Sequence, residues 1–102
     1  MARSNDPPLL ILTSLADGPK HGHALLKDIE RFAGARLGPG ALYGAITRLE
    51  ERGLIEPVAS DDRRRPYRLT VAGAAALADS VRELRAITTV ATRRLRTARV
   101  VT

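Results

Sequence analysis

The first apolar run, Leu9-Leu10-Ile11-Leu12 with Leu15 behind it, cannot lie along one side of a helix. Asp6 stands where it can cap that helix, and Pro7 and Pro8 fill a first turn in which a missing N–H costs nothing. Asp17-Gly18-Pro19 ends it just after Ala16. A helix apolar on every side is buried on every side. In a domain this small, the pattern predicts that a second subunit supplies part of the cover, with Leu10 among the dimer contacts. A second helix is predicted over residues 22–33, where Leu25, Leu26, Ile29 and Phe32 keep the three-and-four spacing of one buried stripe before Gly34 closes it. Gly38-Pro39-Gly40 opens a third, which runs to about Arg52 and stops at Gly53. Its buried stripe is Leu42, Ile46 and Leu49; the opposite face shows Gly40, Tyr43, Gly44 and Thr47, with Arg48 alongside.

Beyond Gly53 the period changes. Leu54-Ile55-Glu56-Pro57-Val58 and Arg65-Pro66-Tyr67-Arg68-Leu69 read as two short strands joined by the polar turn Ser60-Asp61-Asp62-Arg63-Arg64. Prolines are barred from a central strand, but a hairpin of two strands is all edge. Thr70 then caps a long helix from Val71 into the nineties, in which Leu77, Val81, Leu84, Ile87, Ala91 and Leu95 hold a stripe for about three heptads. About 25 residues at 1.5 Å each reach roughly 38 Å, farther than the small domain in front of them. A stripe that outlasts its own core needs another surface, so Leu77, Val81, Leu84, Ile87 and Leu95 are predicted to meet a second copy of the chain. After Thr92 the apolar signal gives way to Arg93-Arg94-Leu95-Arg96, and the end is expected to fray.

The fold class that follows is mainly α with a small β-hairpin (α+β). Residues 1–70 form a winged helix-turn-helix and residues 71–102 a dimerisation helix with a basic end. A chain of 102 residues suits this one small unit. Only Phe32, Tyr43 and Tyr67 are aromatic, so the core must be aliphatic. The absence of cysteine removes disulfides, thiolate metal sites and cysteine nucleophiles together, and points to the cytoplasm. No apolar run approaches the roughly 20 residues that a membrane span takes. Residues 1–16 faintly imitate a secretory leader, but Pro7-Pro8 and Asp17-Gly18-Pro19 argue against a cleavage site.

Charge sharpens the picture. Residues 1–62 hold seven basic and nine acidic residues, a net of −2, whereas residues 63–102 hold ten arginines against Asp79 and Glu83, a net of +8. Arginine's planar fork suits phosphate and guanine better than an ammonium does. In a winged helix-turn-helix the third helix enters the major groove and the hairpin reaches a neighbouring groove or phosphate. Pro39, Gly40 and Gly44 keep the front of that helix slim; Tyr43 brings a ring and a hydroxyl, and Thr47 a methyl and a hydroxyl for a base edge, with Arg48 beside them. Arg63, Arg64 and Arg65 at the tip, and Arg68 behind them, face phosphate or the minor groove, while Lys20 and His21 lie before a helix start suited to a phosphate oxygen. Double-stranded DNA is the partner this arrangement fits. A winged-helix module that grips an acidic protein is the alternative.

Other chemistry is poorly supported. Glu50-Glu51 and Asp61-Asp62 are adjacent pairs, and neither a Gly-rich phosphate loop nor a nucleophile constellation accompanies them, so no enzyme and no cofactor are expected. His21 and His23 are two residues apart on a predicted helix and should point to different sides, with only Asp17 and Asp28 nearby, so no metal site is expected either.

Four motifs in order, Lys20-His21-Gly22, Pro39-Gly40-Ala41-Leu42-Tyr43, Arg48-Leu49-Glu50-Glu51-Arg52-Gly53-Leu54-Ile55 and Tyr67-Arg68-Leu69-Thr70-Val71-Ala72-Gly73, resemble the PadR family of bacterial transcriptional regulators over about residues 9–73. One helix after the wing resembles the short subfamily. The resemblance implies a homodimer that represses transcription from inverted-repeat operators, with Tyr43 on the recognition helix and the last helix crossing onto the other subunit. It also implies room between the last helices and the DNA-binding domains for a small-molecule effector. With no aromatic beyond residue 67, any such cavity would have aliphatic walls.

Overall fold

The computed structural model describes residues 6–61 and 63–101; residues 1–5, Asp62 in the predicted turn, and Thr102 lie outside the described residues. Four helices and one hairpin follow in the order α1 (Pro7–Leu15), α2 (Gly22–Ala33), α3 (Pro39–Glu51), β1 (Ile55–Pro57), β2 (Tyr67–Leu69) and α4 (Val71–Arg96). Pro7 and Pro8 do start α1, but Asp6 caps it with its backbone alone: its carbonyl accepts from the Leu10 amide at 3.0 Å, and its carboxylate makes no capping bond.

The all-round apolarity of α1 has its explanation inside one protomer. α2, α3, α4 and β2 all pack against it, and Leu9, Leu10, Ile11, Leu12 and Leu15 are buried there without a second chain. Leu10, expected at the dimer surface, is therefore a core residue, 3% exposed. The same helix hides one polar group. Ser14, also buried, donates to Asp28 Oδ2 at 2.6 Å and so ties α1 to α2.

The core stripe of α2 is shorter than its spacing suggested. Leu25 and Ile29 are buried and Leu26 lies at the margin, but Phe32 stands 46% exposed. It sits on the last turn, past the core cluster, just before Gly34 turns the chain away at φ 64°. On α3, Leu42, Ile46 and Leu49 are buried as expected, joined by Ala45.

The strands are shorter than five residues, and their pairing shows why. Ile55 faces Leu69, Glu56 faces Arg68 and Pro57 faces Tyr67. Tyr67 spends its amide and carbonyl on the other side, on the carbonyl and amide of Lys20 at 2.9 and 3.0 Å. Pro57, which has no N–H, thus occupies a place opposite β2 where none is required. The hairpin is not all edge: the segment before α2 adds a rung to the outer side of β2, bonding the wing to the start of α2.

Thr70 caps α4 as predicted. Its hydroxyl accepts from the Gly73 amide at 3.0 Å and donates to the Gly53 carbonyl at 2.6 Å. Gly73 is buried so tightly that a methyl group there would overlap the carbonyl oxygen of Leu54. Ala76 and Leu77 then pack on the core, after which the helix leaves it and gives the molecule a long axis of 58 Å. α4 stays helical to Arg96, and the described residues after Thr97 leave the helix. Among the described residues no helix is long and apolar enough to cross a membrane.

Candidate nucleic-acid interface

The outward face of α3 is defined by what its core face takes away. With Leu42, Ala45, Ile46 and Leu49 committed inward, Pro39, Gly40, Tyr43, Thr47 and Arg48 are exposed and Gly44 is half-buried. Tyr43 stands 52% exposed, its ring laid back over the first residue of α2. Thr47 presents less than its formula suggests: its hydroxyl donates to the Tyr43 carbonyl at 2.9 Å. That leaves a methyl group and an acceptor lone pair for a base edge. The Arg48 guanidinium lies over Gly44, 3.4 Å from where a β-carbon would sit.

His21 is the N-cap of α2, with Nδ1 accepting from the Ala24 amide at 3.4 Å. In a neutral ring this puts the proton on Nε2, which becomes an outward donor. The expectation that His21 and His23 diverge does not hold. His21 lies outside the helix in extended conformation, and its ring stacks on that of His23, centroids 6.5 Å apart and planes 9° from parallel.

These groups meet the wing. His21, Gly22, His23, Tyr43, Arg64, Arg65 and Tyr67 line one concavity of about 220 Å³. Beside it, Arg63, Arg64 and Arg65 curl over the hairpin residues Pro57, Val58, Ala59 and Ser60 around a second of about 470 Å³. The outward face of α3, the start of α2 and the basic hairpin thus share one surface. Tyr67 and His23 were not anticipated on it. The strand period held the signal for Tyr67, which lies two residues from Arg65 and so on the same side.

Two expected members are already engaged elsewhere. The Lys20 ammonium is held by the Ser14 carbonyl and the Asp17 carboxylate, and its side chain is only 18% exposed. It latches the end of α1, and its hydrogen bond and charge hold the Asp17 carboxyl below the usual carboxylate range. Arg68 donates from Nε to Glu56 Oε1 at 2.7 Å across the hairpin, so part of its fork is spent on its cross-strand neighbour.

The stripe on α4 divides. Leu77 packs on the protomer's own core and Leu84 is half-buried, whereas Val81, Ile87 and Leu95 are 36%, 56% and 72% exposed. Val90, one turn on from Ile87, is also bare and shares an apolar surface with Ala86, Ile87 and Ala91, edged by Arg94.

Comparison with known proteins agrees with this architecture. The profile of the transcriptional regulator PadR-like family matches residues 11–79. The chain is 52% identical over 71 residues to an uncharacterized 37.1 kDa protein in transposon Tn4556 of Streptomyces fradiae, covering 70% of this chain and 21% of that protein, about a fifth of its length. It is 42% identical over 79 residues to a transcriptional regulator of Mycobacterium tuberculosis, covering 74% of this chain and 73% of the other. Among solved structures, that of a PadR family transcription regulator from Clostridium difficile superposes with a TM-score of 0.78 at 26% identity, covering 87% of this chain and 97% of that one.

Proposed function

The chain belongs to the PadR-like family of transcriptional regulators, and on that premise we propose that it acts as a homodimeric repressor on an inverted-repeat operator. Each α3 lies in a major groove, where Thr47 offers its methyl and acceptor to a base edge and Tyr43 its ring and hydroxyl. Arg63, Arg64 and Arg65 of the wing hold phosphates or a neighbouring minor groove, and His21 donates from Nε2 to the backbone near the start of α2. The bare apolar half of α4, from Val81 through Ile87 and Val90 to Leu95, joins the two copies. Such a dimer sets the two α3 helices one helical turn of DNA apart, roughly 34–36 Å. A small-molecule effector would act at this junction, on walls of Ile87, Val90 and Ala91, by favouring another spacing of the two heads.

The observation that carries this reading is the convergence of Tyr43, the α2 start and the wing arginines on one concave surface. The test is selection of bound sequences from random duplex DNA with the purified protein. Symmetric sites bound at least about 10³ more tightly than random duplex are expected. Equal affinity for every duplex at physiological salt would overturn sequence-specific readout and favour an acidic protein partner.

A further inference from the structure

The three glycines of the proposed interface are held there by different causes. At Gly40 a β-carbon would meet nothing within 4 Å, and at Gly44 only the far end of the Arg48 side chain. At Gly22 it would lie 2.5 Å from Tyr43 Oη, 2.9 Å from Cζ and 3.0 Å from Cε1. Gly22 is buried on the first turn of α2 and is not among the positive-φ glycines, so its backbone does not call for glycine. Space does. The Tyr43 ring is half in solvent, and the surface of Gly22 is the wall behind it.

We infer that Gly22 is a positioning residue for sequence readout: by lacking a side chain it lets the Tyr43 phenol rest against the start of α2, which fixes the angle at which the ring leaves the recognition helix. The inference builds on the reading above, in which Tyr43 touches the duplex. Lys20, two residues before Gly22, is bonded through its backbone to Tyr67 of the wing, so the seat of the ring is fixed to both other parts of the interface. A methyl group on Gly22 must push the ring outward by about an ångström to restore ordinary contact. Because the ring is exposed, it can yield towards the DNA side without unpacking the core.

Four proteins test this: the natural chain, Gly22→Ala, Tyr43→Ala and the double variant. For each, the dissociation constants of the selected operator and of the same duplex changed at single half-site positions give a discrimination ratio, with thermal unfolding as the fold control. Gly22→Ala is expected to unfold with the natural midpoint, to lose about tenfold in discrimination, and to shift the NMR ring signals of Tyr43 while leaving those of Tyr67. Once Tyr43→Ala has removed the ring, the same glycine change should alter nothing. An equal loss with and without the ring, or none in either case, overturns the inference while leaving Tyr43 as a reader. Natural discrimination by Tyr43→Ala removes the recognition role of Tyr43, and the positioning role of Gly22 with it. Should Gly22→Ala fail to fold, with or without the ring, the inference is overturned, because the ring then does not yield as its exposure requires.

Discussion

Replacing Arg63, Arg64 and Arg65 together by alanine strips the wing of its exposed guanidinium groups and leaves the hairpin base, the Lys20–Tyr67 rung and the core untouched. Each phosphate neutralised on a duplex releases close to one counterion, so the slope of log affinity against log salt flattens by about 0.9 for every phosphate the variant leaves unpaired. Two wings carry six such groups. If all reach phosphate, the slope should flatten by about 5; if only two of the three in each wing do, by about 4. Across a fourfold rise in salt, six phosphate pairings correspond to a drop of roughly 10³ in affinity. The variant should therefore bind far more weakly than the natural protein in dilute buffer and approach it as salt rises. Fluorescence anisotropy with a labelled operator, titrated from about 50 to about 200 mM salt, reads both slopes. The loss should fall equally on operator and random duplex, because phosphate carries no sequence. An unchanged slope would take the wing off the DNA, and a loss confined to the operator would show that these arginines read bases.

Ile87→Glu should leave the protomer folded, since Ile87 is 56% exposed within it, but give a monomer in light scattering; a dimer of natural mass would remove α4 from the interface. Leu84 is a worse probe, because its half-burial mixes folding with assembly. Gly73→Ala should destabilise by about 2 kcal/mol or more in urea unfolding, since its methyl group meets the Leu54 backbone rather than a movable side chain, and a natural midpoint would refute that packing. The Asp17 carboxyl is held below the usual range by Lys20, so the pair contributes its stability above that range and loses it as pH falls through the lowered value. Asp17→Asn should therefore unfold more easily than the natural chain near neutrality, with the two stability curves converging in strong acid; parallel curves would refute the linkage.

Element order and type were legible because each element is patterned over enough residues to average out exceptions. Leu42, Ile46 and Leu49 betray α3, Thr70 announces α4, and the switch of period after Gly53 marks the hairpin. What stayed hidden depends on contacts between elements. Periodicity says that every side of α1 is covered but not by what, so Leu10 read as an intersubunit residue when α2, α3, α4 and β2 already enclose it. A lysine beside a helix start looks free to hold phosphate until Asp17 and the Ser14 carbonyl are seen to claim it. His21 and His23 diverge only if both are helical, and His21 is the cap. The face of α3 was readable from Tyr43 and Thr47, but nothing in the letters ties Gly22 to a ring twenty-one positions along the chain.

The backbone rung between Lys20 and Tyr67 removes the slack that a hairpin on a flexible stalk would have. Within one head, the hairpin and the helix start it is bonded to are a single casting, so the proposed jaw and finger move together. If two copies join through α4 as proposed, a regulatory signal would reach the heads as a change in the gap of a calliper, passed along the protruding shaft of α4, and not as a loosening of either tip.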